Sequence, residues 1–131
     1  MKKNSGQCLC GSVVFSIFSE LREVIFCHCG QCLKTHGHFS AYTETSEKNI
    51  EWGATSSLSW YQSSPKAQRG FCKNCGASLF YKLDESDQIS VSAGCLEKPT
   101  KLRPSCHIYV KDTSDYYEIT DHLPTYEADI D

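Results

Sequence analysis

The stretch Cys8-Leu9-Cys10-Gly11-Ser12-Val13-Val14-Phe15-Ser16-Ile17 decides how this chain is read. Val13, Phe15 and Ile17 alternate with Ser12, Val14 and Ser16, the period of a half-buried strand. A Cys-x-Cys pair stands at the head of that strand, so strand and thiols are read together. Outward from it, Val24-Ile25-Phe26 is a short apolar run that ends in a second cysteine group. Residues 39–45, 58–61, 77–83, 89–93 and 107–110 read as further strands. Ser63-Ser64-Pro65, Asp84-Glu85-Ser86-Asp87, Lys98-Pro99 and Asp112-Thr113-Ser114-Asp115 punctuate them as turns. No sustained helical stripe appears, so helix should be short. The expectation is a mainly β fold in one domain, residues 1–131.

The 131 residues suit one domain, and 40% hydrophobic with 22% charged residues is ordinary for a globular chain. The formal charge is −3, and no basic stripe marks a nucleic-acid partner. The opening Met1-Lys2-Lys3-Asn4-Ser5-Gly6-Gln7 has no apolar run behind its lysines, and no segment is long enough to span a bilayer. These features lead us to expect neither nucleic acid nor membrane as partner, and a reducing, cytoplasmic location.

Nine cysteines are the outlier. Disulfide scaffolds are mostly shorter, secreted and even in count, whereas clustered cysteines in a reducing compartment bind metal. Seven of the nine fall in three groups: Cys8 with Cys10; Cys27, Cys29 and Cys32; and Cys72 with Cys75. Cys95 and Cys106 stand alone. Residues i and i+2 of a strand point the same way, about 6.5–7 Å apart. Tetrahedral zinc with bonds of about 2.3 Å needs sulfurs about 3.8 Å apart, within reach of side chains that lean together. Cys72-Lys73-Asn74-Cys75-Gly76 reads as a zinc knuckle whose glycine permits the exit of a tight turn. Cys8, Cys10, Cys72 and Cys75 together supply four thiolates, the closed set of a structural zinc. The 61 residues between Cys10 and Cys72 mean that such an ion ties the N-terminal strand to the middle of the chain.

Cys27 and Cys29 share a strand face in this reading, and Cys32 comes round on the Gly30-Gln31 turn. Three thiolates with an open position are the pattern of catalytic zinc. A second structural site, closed by Cys95, Cys106 or a histidine such as His28, His36, His38 or His107, stands level with it on spacing alone.

Three motifs, Cys8-x-Cys10-Gly11-x-Val13, Cys27-His28-Cys29-x-x-Cys32-x-Lys34-x-x-Gly37 and Arg69-x-Phe71-Cys72-x-x-Cys75-Gly76-x-x-Leu79, carry a resemblance. With Ala93-Gly94-x-Leu96, Pro104-x-x-His107-Ile108 and Leu123-Pro124-x-Tyr126, the chain resembles the glutathione-dependent formaldehyde-activating enzyme family, which includes centromere protein V-like proteins. The resemblance implies a β-tent of packed antiparallel sheets. It implies two zinc ions, a structural one on Cys8, Cys10, Cys72 and Cys75 and a catalytic one on Cys27, Cys29 and Cys32. It also implies carbon–sulfur lyase chemistry, with glutathione as co-substrate in the named enzyme. Two positions depart from the pattern: Cys95 replaces a threonine or similar small residue, and Tyr116-Tyr117 stands where a tryptophan is usual.

The remaining residues are read with their structural alternatives. Lys34, expected on a loop after Cys32, is a candidate contact for a thiol substrate's carboxylate or a solvated surface lysine. Arg69, beside Phe71 and Cys72, is likewise a candidate carboxylate contact or a residue that offsets the charge of the four-thiolate site. His28 should face away from the metal by strand alternation, and His107 should be a core histidine. Tyr42, Trp52, Trp60, Tyr61, Phe80 and Tyr81 read as sheet core and rim, with a substrate pocket as the lesser reading. Two functions remain: a carbon–sulfur lyase acting on a small thiol adduct, and a non-catalytic zinc module that binds a thiol or a partner protein.

Overall fold

A computed structural model describes residues 3–130. It contains ten strands and one short helix: β1 Asn4–Gln7, β2 Val14–Ile17, β3 Val24–Cys27, α1 Gly30–His36, β4 Ser40–Ser46, β5 Ile50–Trp52, β6 Leu58–Ser64, β7 Ala67–Cys72, β8 Ser78–Leu83, β9 Gln88–Ser92 and β10 Pro104–Ile108. The fold is mainly β, as the alternation indicates. A three-stranded sheet runs β1-β2-β5, and a seven-stranded sheet runs β10-β3-β4-β9-β8-β7-β6. All neighbours are antiparallel except β10 and β3, which are parallel. No helix among the described residues is long and apolar enough to cross a membrane.

The alternating residues of β2 and the residue before it form one wall of the core. Val13, Phe15 and Ile17 are buried and pack with Leu79, Phe80, Ile89 and Val91 of the larger sheet. Phe15 meets Phe80 edge-on with ring centroids 5.1 Å apart, and Trp52 of β5 meets Phe80 at 5.3 Å. Each such pair adds about 0.5–1.5 kcal/mol to the area it buries. Trp60 and Tyr61 lie at the exposed rim, while Tyr42 is buried.

Three strands escape the sequence pattern for physical reasons. β1 is wholly small or polar, β5 is three residues long, and β7 (Ala-Gln-Arg-Gly-Phe-Cys) interrupts any alternation with Arg69 and Gly70. Helix α1 begins where a turn was expected. Cys29 is its N-cap and accepts from the Cys32 N–H, and Gly37 ends it with φ +82°, a left-handed cap.

Candidate metal centres

The first cysteine group is assembled from two sheets. Cys8 and Cys10 lie in the β1–β2 connection, while Cys72 ends β7 and Cys75 lies in the turn to β8. All four Sγ atoms fall within 4.8 Å of one another. Cys8 and Cys10 are 3.7 Å apart and Cys10 and Cys72 are 3.8 Å apart, the edge length of a tetrahedral zinc–thiolate set. Gly11 and Gly76 close the two turns, and each has φ +80°, where a side chain would be strained.

Two serines that the sequence reading did not single out complete this centre. The Ser12 hydroxyl lies 3.0 Å from Cys10 Sγ and 3.4 Å from Cys72 Sγ, and the buried Ser57 hydroxyl also lies 3.4 Å from Cys72 Sγ. Hydrogen bonds from Ser12 and then Ser57 bring the Cys72 thiol down to about 5, favouring the thiolate form that a metal ion takes. The only sequence signal was a serine two residues after Cys10.

The second group is local. Cys27 ends β3, Cys29 caps α1 and Cys32 lies in its first turn, with all three Sγ atoms within 4.8 Å of one another. The expected common strand face for Cys27 and Cys29 is corrected here: the strand stops at Cys27, and a helical turn brings Cys32 back. Hydrogen bonds from Cys27 and then Cys32 lower the Cys29 thiol to about 2, and bonding to Cys29 and then Cys32 pushes Cys27 up. One thiol of the set therefore carries charge readily and its neighbours share it. The Ser40 hydroxyl donates to Cys32 Sγ at 3.2 Å.

Arg69 does not offset the four-thiol group, the structural reading given to it above. It is buried, and its Nη2 lies 3.8 Å from Cys32 Sγ, so it serves the three-thiol group and not the four-thiol one. Strand parity explains this: residues 69 and 72 are an odd number apart on β7 and project to opposite faces. Its Nε donates to Gln31 Oε1 at 3.0 Å, its Nη1 to the Tyr42 hydroxyl at 3.4 Å, and its Cζ sits 4.8 Å from the Tyr81 ring centre. Lys34 is exposed on α1 and lines neither of the two cavities that His36 helps to wall.

All nine cysteines are free thiols, which fits two metal-binding sets and gives no disulfide framework. Each set can hold a metal ion, and the all-sulfur donors suit zinc. A model of the family described as glutathione-dependent formaldehyde-activating enzyme matches residues 3–112. The chain belongs to this family.

The span matched to the formaldehyde-activating family contains both cysteine groups that the fold assembles. A protein of Schizosaccharomyces pombe (strain 972) named as an uncharacterized lyase is 23% identical over 131 residues, covering 98% of this chain and 94% of its own. A crystal structure of a Rhodobacter sphaeroides protein superposes with a TM-score of 0.62 at 20% identity, covering 74% of this chain and 91% of that one. That likeness supports the fold.

Cys95 joins neither group. Its Sγ donates to the Ser92 carbonyl at 2.9 Å, and burial pushes its thiol up to about 12. Cys106 is buried in β10 and likewise joins neither group. His28, His36, His38 and His107 also stand outside both sets.

Proposed function

We propose that the protein is a zinc-dependent carbon–sulfur lyase acting on the adduct of glutathione or another small thiol with an aldehyde. Cys8, Cys10, Cys72 and Cys75 hold the structural zinc; Cys27, Cys29 and Cys32 hold the reactive one. The observation that carries the reading is the difference in donor count. Four thiols converge in one group and three in the other, with no further cysteine, histidine or carboxylate among the described residues completing it. A zinc ion on the three-thiol set would lower the pKa of an added thiol and keep it as thiolate. The lyase wording in the name of the S. pombe relative agrees with this chemistry.

The protein's own groups suit the reaction. Arg69 and Ser40 both donate to Cys32, which spreads the negative charge of the set. The reaction itself is balanced without redox change. A sulfur lone pair forms the carbon–sulfur bond, the carbonyl π pair moves to oxygen, and that oxygen takes the proton given up by the thiol. The reverse returns all three.

The test is the rate of exchange between glutathione, formaldehyde and their S-hydroxymethyl adduct, followed by NMR line broadening. Zinc-loaded protein should accelerate exchange above the uncatalysed rate, and Cys32→Ser should abolish the acceleration. Thiol binding without acceleration would favour the binding-module alternative.

A further inference from the structure

Arg69 is the buried cation that the chain itself leaves incompletely matched. It is 8% exposed, yet no ion pair among the described residues includes it. A guanidinium carries five N–H donors, and its bonds to Gln31, Tyr42 and Cys32 use three. Two donors remain. Cys32 is the one thiol that the guanidinium contacts, and the two unused donors are free to take a further anionic ligand. On one side of the guanidinium lies Cys32. Arg69 also lines a cavity of about 230 Å³, together with His36, Tyr42, Phe71 and Phe80.

That cavity is smaller than the ~300–1,000 Å³ of a pocket for a whole drug-sized ligand, so it suits one arm of a ligand. It shares Thr35, His36, Gly76 and Ser78 with a larger groove of about 1080 Å³ between the two sheets, where the rest of a peptide-sized molecule has room. The planar fork of arginine matches a carboxylate, and stacking on Tyr81 holds that fork in one plane.

We propose that Arg69 binds a carboxylate of the thiol substrate through its two remaining donors and makes the three-cysteine site selective for acidic thiols. This rests on the reading of Cys27, Cys29 and Cys32 as the thiol-binding set. The 3.8 Å between Nη2 and Cys32 Sγ limits the ligand class. The sulfur and the carboxylate are separated by a few bonds, as in a mercapto acid or in a peptide whose cysteine is close to a terminal carboxylate. The proposal gives the anion-contact role expected of the exposed Lys34 to the buried Arg69.

The experiment titrates cobalt-substituted protein with 3-mercaptopropionate and with its methyl ester, reading the sulfur-to-metal charge-transfer band. The wild type should bind the acid about ten- to a hundredfold more tightly than the ester, the effect of a charge-assisted hydrogen-bonded pair. Arg69→Gln should remove that preference while ester affinity stays within about threefold. Arg69→Lys, which keeps the charge and is the milder change in the core, should retain only part of it. Equal binding of acid and ester to the wild type would overturn the proposal and leave Arg69 as a charge partner of Cys32 alone. A preference that survives Arg69→Gln would overturn it as well. No spectral response to either thiol would overturn both the proposal and the thiol-site reading beneath it.

Discussion

His28 Nε2 lies 2.8 Å from His107 Nδ1, joining two buried rings that are 79 residues apart in the chain. His107 Nε2 in turn lies 2.7 Å from Asp121 Oδ2. An ionised carboxylate only accepts, so His107 donates from Nε2; a neutral His107 then accepts at Nδ1, and His28 donates from Nε2. Its own Nδ1 is then a bare acceptor, and it is buried without a partner. Burial brings the His28 imidazole down to about 4 and keeps it neutral. His28 thus anchors the backbone between Cys27 and Cys29 to β10 and the C-terminal segment.

The chain predicts an acid-sensitive contribution from Asp121. The hydrogen bond from His107 holds its carboxyl below the usual carboxylate range. A depressed acid stabilises the fold above its unfolded pKa of about 3.9, and this contribution is lost as pH falls through the folded value. Asp121→Asn should therefore lower Tm near pH 7, and the gap to wild type should close below about pH 4. Melting curves that stay equally spaced down to pH 3 would contradict the assignment.

The two cysteine groups should respond differently to mutation. Cys72 belongs to a group that fastens the three-stranded sheet to the seven-stranded one. Cys72→Ser in zinc-loaded protein should lower Tm by more than about 10 °C, because structural zinc supplies folding free energy. Cys29→Ser should shift Tm less and leave about one zinc by elemental analysis. Its ligands come from one short segment, and serine still serves as an N-cap for α1. The reverse order of melts would exchange the two roles.

Gly6 is a packing position. A Cβ there would come within 2.6 Å of the Phe15 ring and 3.1 Å of the Cys95 carbonyl. Gly6→Ala should cost about 1–3 kcal/mol in a urea titration, the usual effect of overpacking. An unchanged midpoint would mean that β1 slides away from the core at no cost.

Cys95 should be a bystander to metal chemistry. With its thiol donated to Ser92 and held at about 12, Cys95→Ala should leave zinc content and the cobalt spectrum unchanged. A changed charge-transfer band would make Cys95 the fourth ligand of the three-thiol set and end the lyase proposal.

The sequence by itself determined the strands that alternate and the cysteines that cluster. Both signals are short-range: the period of two in Val13–Ile17 and the spacing of Cys27, Cys29 and Cys32 survive without knowledge of any partner. The pairing of Cys8 and Cys10 with Cys72 and Cys75 was legible because four thiolates complete one zinc. What the tertiary structure decided was which long-range partners the polar residues meet. Arg69 stands near Cys72 in sequence but faces Cys32 in space, because an odd separation on a strand crosses the sheet. His107 reaches His28 because β10 pairs in parallel with β3, and such a crossover leaves no local mark in the chain. Ser57 reaches Cys72 only through the fold. Ligand identity is written in local spacing, whereas the groups that tune those ligands are selected by sheet order and strand parity.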